Sequence, residues 1–209
     1  MKKFITYMPR QPELGAFGYE AVDNQKLHFG DPNESPKATA FPIIPVISGY
    51  TESDEEIAVI AFTERYEFSE RNYKLFENEI LTLCSERGIV LRDGAIKKVT
   101  LPYDDGVTSQ IESFQLLVDS IEDGDELYAC LSYSSKPAEI TELMALRYAR
   151  MVYKDVYIAC AVYGQVNFKL KEAKIYDETA LVYLDDIVRM LAQYGDKNPK
   201  ETIRRMLSL

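Results

Sequence analysis

Glu126-Leu127-Tyr128-Ala129-Cys130-Leu131, followed at once by Ser132-Tyr133-Ser134-Ser135-Lys136-Pro137, decides the fold. The first six residues form an apolar run without alternation, the signature of a strand covered on both faces. Hydroxyls, a lysine and a proline come next. Proline suits the first turn of a helix, and apolar positions continue to Val152, so the pattern predicts strand, polar loop and a helix from about Pro137. Val156 to Tyr163 then reads as another buried strand.

The same alternation continues outward in both directions. Upstream, Asp123-Gly124-Asp125 is a turn. Residues 109–121 carry Ile111, Phe114, Leu117, Val118 and Ile121 at helical spacing. Either Ile89 to Leu91 or Val99 to Leu101 supplies a strand. Tyr73, Phe76, Ile80, Leu83 and Cys84 recur at three and four, giving a helix from Ser69 to about Arg87 that Gly88 stops. Glu56 to Phe62 is a buried strand running into Thr63-Glu64, and Phe41 to Tyr50 is a short helix despite two prolines. Phe4 to Met8 is the first strand, ended by Pro9. Residues 10–37 are rich in Gly, Pro, Asn and Asp, with a small hairpin expected at Lys26-Leu27-His28-Phe29 and a mobile insert over 11–38. Beyond Tyr163 a charged, less regular segment leads to helices at 179–193 and Pro199 to Leu207.

This order predicts an α/β fold: a Rossmann-like, mostly parallel sheet with helices on both faces and a small hairpin insert after the first strand. Residues 1–170 form the Rossmann-like domain, and residues 171–209 are a C-terminal helical extension of it.

Composition narrows the function classes. The 209 residues are 46% apolar, enough for a sizeable core, and none of the apolar runs approaches the roughly 18 residues of a membrane helix. The start, Met1-Lys2-Lys3-Phe4-Ile5, breaks at Pro9 without a small-residue cleavage site, so a signal peptide is not expected. A net charge of −10 argues against gripping long nucleic acid through a basic surface, while leaving room for a local phosphate pocket. Cys84, Cys130 and Cys160 lack metal-ligand spacing and read as buried reduced thiols of a cytoplasmic protein. His28, the single histidine, reads as a surface loop residue, which removes a Ser-His-Asp triad. Asp104-Asp105 and Asp185-Asp186 read as surface charge or helix caps; no metal site and no cofactor is expected.

In open parallel sheets, ligands bind outside the carboxyl ends of the strands. Met8-Pro9-Arg10, Thr63-Glu64-Arg65 and Ser132-Tyr133-Ser134-Ser135-Lys136 gather there. A helix start offers unpaired N–H groups and partial positive charge, serines add donors, and Lys136 adds a point charge. That chemistry suits a phosphate, although the same serines also suit helix capping. Tyr133 or Tyr7 stands near enough to stack on a base.

The stretch Asp125 to Pro137, with its following helix and the strand Val156 to Tyr163, resembles the CARF family (CRISPR-associated Rossmann fold). The family motif there is D-x-[ST]-G-G-[ST]-K. Its threonine falls on Ser132, its glycines on Tyr133 and Ser134, its second hydroxyl on Ser135 and its lysine on Lys136; its aspartate falls on Cys130. The first strand, the loop holding Tyr50, the strand into Thr63-Glu64 and the helix near Asn72 are similar to the family's opening half. The resemblance implies a homodimer holding a cyclic oligoadenylate in a shared pocket, in type III CRISPR antiviral defence, with the signal passed to an effector domain or partner chain. It also implies an alternative, a metal-independent ring nuclease in which Lys136 stabilises charge on the phosphate and Ser135 or Ser134 orients the attacking 2′-OH. A Rossmann-like interaction domain without nucleotide ligand stays open beside both.

Overall fold

The computed structural model describes residues 1–102, 104 and 106–207. Lys2–Tyr7 forms β1, Ile57–Glu64 β4, Ile96–Leu101 β5, Glu126–Cys130 β6 and Tyr157–Asn167 β7. These five strands lie in the order β5-β4-β1-β6-β7 and pair in parallel throughout. Two more, Phe17–Ala21 (β2) and Ala38–Thr39 (β3), join Glu172–Asp177 (β8) beyond β7, completing an eight-stranded sheet. The fold is thus α/β with a mostly parallel, Rossmann-like sheet, as the strand–helix alternation predicts.

Alternation in β1 divides the core. Phe4 packs with Val59, Tyr128 and Val162 beneath Ile43–Tyr50 (α1) and Ser69–Arg87 (α2). Ile5 and Tyr7 point the other way, toward Leu117, Leu127 and Leu146 under Val107–Val118 (α3) and Lys136–Val152 (α4). Thr179–Gln193 (α5) adds Val182 to this second layer, and Pro199–Leu207 (α6) follows it. Lys3 is the buried charge at the lower end of β1. Its ammonium sits 2.6 Å from the Asp125 carboxylate and 2.9 Å from the Ser120 carbonyl oxygen, fixing β1 against the start of β6.

Three sequence expectations change. Lys26-Leu27-His28-Phe29 is not a hairpin: Gln25–Leu27 is a single 3-10 turn, capped by the Asn24 side chain. Leu27 alone in that patch is fully buried, and one anchored side chain suits a turn better than a two-strand face. The strands of the insert are β2, parallel to β8, and β3, antiparallel to β2. The segment after Tyr163 is regular: β7 runs on to Asn167 and returns as antiparallel β8, with Ala173 and Ile175 facing the core on either side of Lys174. The C-terminal segment therefore opens with a strand before its two helices. Val90 makes only an isolated bridge, so β5 is the strand that extends the sheet.

The dipeptide Asp185-Asp186 neither caps a helix nor stands alone. Its carboxylates pair with Arg147 and Arg150, docking α5 onto α4. Asp104 accepts from Gly106 N and Ser109 Oγ at the start of α3; Asp105 lies outside the described residues. All three cysteines are buried and unbonded.

The insert is seated on α1 through a contact that admits no side chain. A Cβ on Gly49 would fall 1.7 Å from the Lys26 carbonyl oxygen. Backbone lies on both sides, so neither partner can swing away. Gly49→Ala is expected to cost about 1–3 kcal/mol, seen as a lower urea midpoint with an unchanged slope.

Candidate functional site

Chain growth reverses at β1. The strands after it build outward through β4 and β5, then the chain crosses to the other side for β6 and β7. Loops leaving β1 and β6 must therefore diverge, which opens a crevice at their carboxyl ends.

The loop after β1 is tightly held. Met8 and Pro9 are buried, and the Pro9 carbonyl oxygen accepts from Tyr66 Oη and from Asn72 Nδ2, the latter at 2.8 Å. Asn72 Nδ2, fully buried at the start of α2, also donates to the Gln11 carbonyl oxygen at 3.0 Å. Arg10 is thereby aimed across the end of β4. Its Nη2 donates to Glu64 Oε1 at 2.5 Å and its Nε lies 2.5 Å from Glu64 Oε2, a two-point fork on a largely buried carboxylate.

The loop after β6 is a turn made of hydroxyls. Ser132 is buried and accepts from Gly164 N at 2.8 Å, joining the loop to β7. Tyr133 has φ of +69°, the left-handed region that glycine enters without cost and an aromatic residue rarely enters. Its phenol is fastened by donating to the Ala40 carbonyl oxygen at 2.7 Å, and burial pushes it up to about 12. Ser135 is the N-cap of α4, its Oγ accepting from Ala138 N at 3.4 Å. Lys136, the first residue of α4, is exposed.

Between the two loops lies a cleft of about 400 Å³. Of the ten expected site residues, Arg10, Ser132, Tyr133, Ser134 and Ser135 line it. Met8, Pro9, Thr63, Glu64 and Lys136 are not among its lining residues: the first four are buried beneath the loops, and Lys136 stands outside it at the helix start. Tyr7 is also in the core rather than at the cleft, whereas Tyr133 lines the cleft with its phenol donating to Ala40.

The far wall was not read from the sequence. It comes from the insert, through Glu13, Leu14 and Phe17, and from the outer half of β7 and its turn, through Tyr163, Val166 and Phe168. Period-two burial in Glu172-Ala173-Lys174-Ile175 was the available signal, since a strand there obliges a hairpin and brings Phe168 to the cleft. Chemically, the near wall offers a guanidinium, hydroxyls and a helix start to an anion, while the far wall is largely apolar.

Behind the near wall, on the α4 side of the sheet, Tyr7 Oη and both carboxylate oxygens of Glu142 are buried without hydrogen-bond partners among the described residues. Burial, with a smaller contribution from Glu139, pushes the Glu142 carboxyl well above the usual carboxylate range. Burial likewise raises Tyr7, reinforced by Glu142 and Glu64.

The sign of the pH effect follows. The folded chain keeps a proton on Glu142 that the unfolded chain loses above about pH 4.3, so this group lowers stability as pH rises from there toward its folded value. Glu142→Gln removes the titration. The variant is expected to match the parent near pH 4 and then gain on it by up to about 1.4 kcal/mol per pH unit, measured by urea denaturation from pH 4 to 8.

No protein-family model and no curated protein matches the chain.

Proposed function

We propose that this chain is a CARF-type sensor that binds a cyclic oligoadenylate at the carboxyl ends of β1 and β6, in a pocket completed across a homodimer. The observation that carries the reading is the backbone at Tyr133. Laid on the CARF motif, Tyr133 takes the place of a glycine, and its φ of +69° is a conformation natural to glycine. A left-handed turn is what a glycine at that place would permit, and here the Tyr133–Ala40 hydrogen bond helps hold it.

Other features support the reading. Ser132, Ser134, Ser135 and Arg10 face one cleft, and α4 begins beside it, which suits a phosphate. Exposed Val107, Ile111, Ile140 and Met144 lie along the neighbouring helices α3 and α4, an apolar face suited to a second copy. A copy placed there in two-fold fashion sets its own α4 start near Lys136, so that two lysines flank one polyanion. No described helix is long and apolar enough to cross a membrane, in keeping with a ligand met in water. The signal then passes to an effector domain or partner chain.

A second reading, the metal-independent ring nuclease, draws on Glu13. Its place in the cleft lining supplies a carboxylate able to take the proton of a ribose 2′-OH as that oxygen attacks the adjacent phosphate. The attack closes a 2′,3′-cyclic phosphate and frees a 5′-hydroxyl.

Titration calorimetry with cyclic tetra- and hexa-adenylate tests the sensor. Tight binding by the parent and a roughly 10- to 100-fold loss in Lys136→Ala is expected, the usual effect of deleting one charged hydrogen bond. No binding of either ring sinks the proposal. Labelled ring opened by the parent and left intact by Glu13→Gln selects the nuclease reading.

A further inference from the structure

We infer that Phe168 and Phe17 form a stacking subsite for a purine base at the outer end of the cleft, opposite the serine turn. The inference rests on the nucleotide reading of this cleft and adds what its far wall recognises.

Phe168 sits in the turn between β7 and β8 and is 72% exposed, beside Lys169 and an exposed Leu170. A phenyl ring in that position gains little from burial. Its one ring partner is Phe17, with centroids 5.8 Å apart and planes at 81°. An edge-to-face pair uses the edge of one ring and the face of the other, so ring surface stays uncovered. Both rings line the cleft.

The backbone is shaped around the pair. A Cβ on Gly15 would fall 2.7 Å from the Phe17 ring, so glycine there lets the chain pass directly against the phenyl. Phe17 enters the sheet in β2, whose pairing with β8 brings the insert and the hairpin together. Two segments about 150 residues apart are thus held so that their rings meet at one lip. A phenyl face has no hydrogen-bonding preference and accepts any flat heteroaromatic ring. On the opposite wall stand Arg10 and the serines, which suit an anion. The ligand that satisfies both walls carries a planar base at one end and a phosphate at the other.

The chain contains no tryptophan, so one introduced at the lip is an unambiguous reporter. In Phe168→Trp, adenosine is expected to quench fluorescence along a saturating curve. In Leu170→Trp, on the same turn and outside the cleft lining, it is expected to quench only linearly, by collision. Phe168→Ala should weaken adenosine and cyclic tetra-adenylate binding about tenfold, the usual effect of losing one stacked base, with ribose 5-phosphate unaffected. Equal linear quenching in both tryptophan variants, or undiminished adenosine binding in Phe168→Ala, overturns the subsite. If cyclic tetra-adenylate binds without quenching Phe168→Trp, the subsite fails and the sensor stands. If adenosine saturates while neither ring binds, the subsite stands and the sensor fails.

Discussion

The parallel pairing of β1 with both β4 and β6 is the constraint on which everything else depends. β1 is the strand at which chain growth changes sides, with β4 on one flank and β6 on the other. That arrangement buries β1 on both faces and places its loop beside the β6 loop. The Lys3–Asp125 ion pair secures the lower end of the same pair of strands. A buried ion pair contributes little net stability against an apolar alternative, yet breaking it leaves an uncompensated charge, so it penalises any slipped register of β1 on β6.

At the upper end the chemistry is divided between holding and offering. Asn72 Nδ2, Ser132 Oγ and Ser135 Oγ bond to backbone groups, which ties the two loops down. Arg10 is held too, but by a carboxylate, and a phosphate can compete for a guanidinium in a way it cannot compete for a capped amide. The site is therefore a stiff frame with the Arg10 guanidinium in its lining. Glu64, left behind by such an exchange, stays largely buried beside the equally buried Tyr7.

Elements covered on both faces were legible because continuous apolar runs admit few other readings. β4, β6 and the first part of β7 announce themselves, as does α2 through its three-and-four spacing and Gly88. From these the switch point and the loops flanking it follow, hence Arg10 and Ser132 to Ser135. What was not legible is set by distant pairing. β2 buries a single residue, Tyr19, and exists because its backbone bonds to β8. Nothing local marks it as a strand, and without it the cleft has no far wall. Lys136 was read as part of the pocket for its charge at the helix start and as the motif's lysine; it is exposed there and is not among the residues that line the cleft.

The two rims of the sheet carry a consequence of their own. One ends in β3, only two residues long, and the other in β5, which bears Lys97 and Lys98. A stranger's strand would find too short a ladder at one rim and a pair of charged side chains at the other. During synthesis, when many identical chains are crowded together, this discourages the open-ended stacking that leads to fibrils. Contacts between copies are thereby steered away from the sheet rims, where strand-by-strand growth would otherwise find a template.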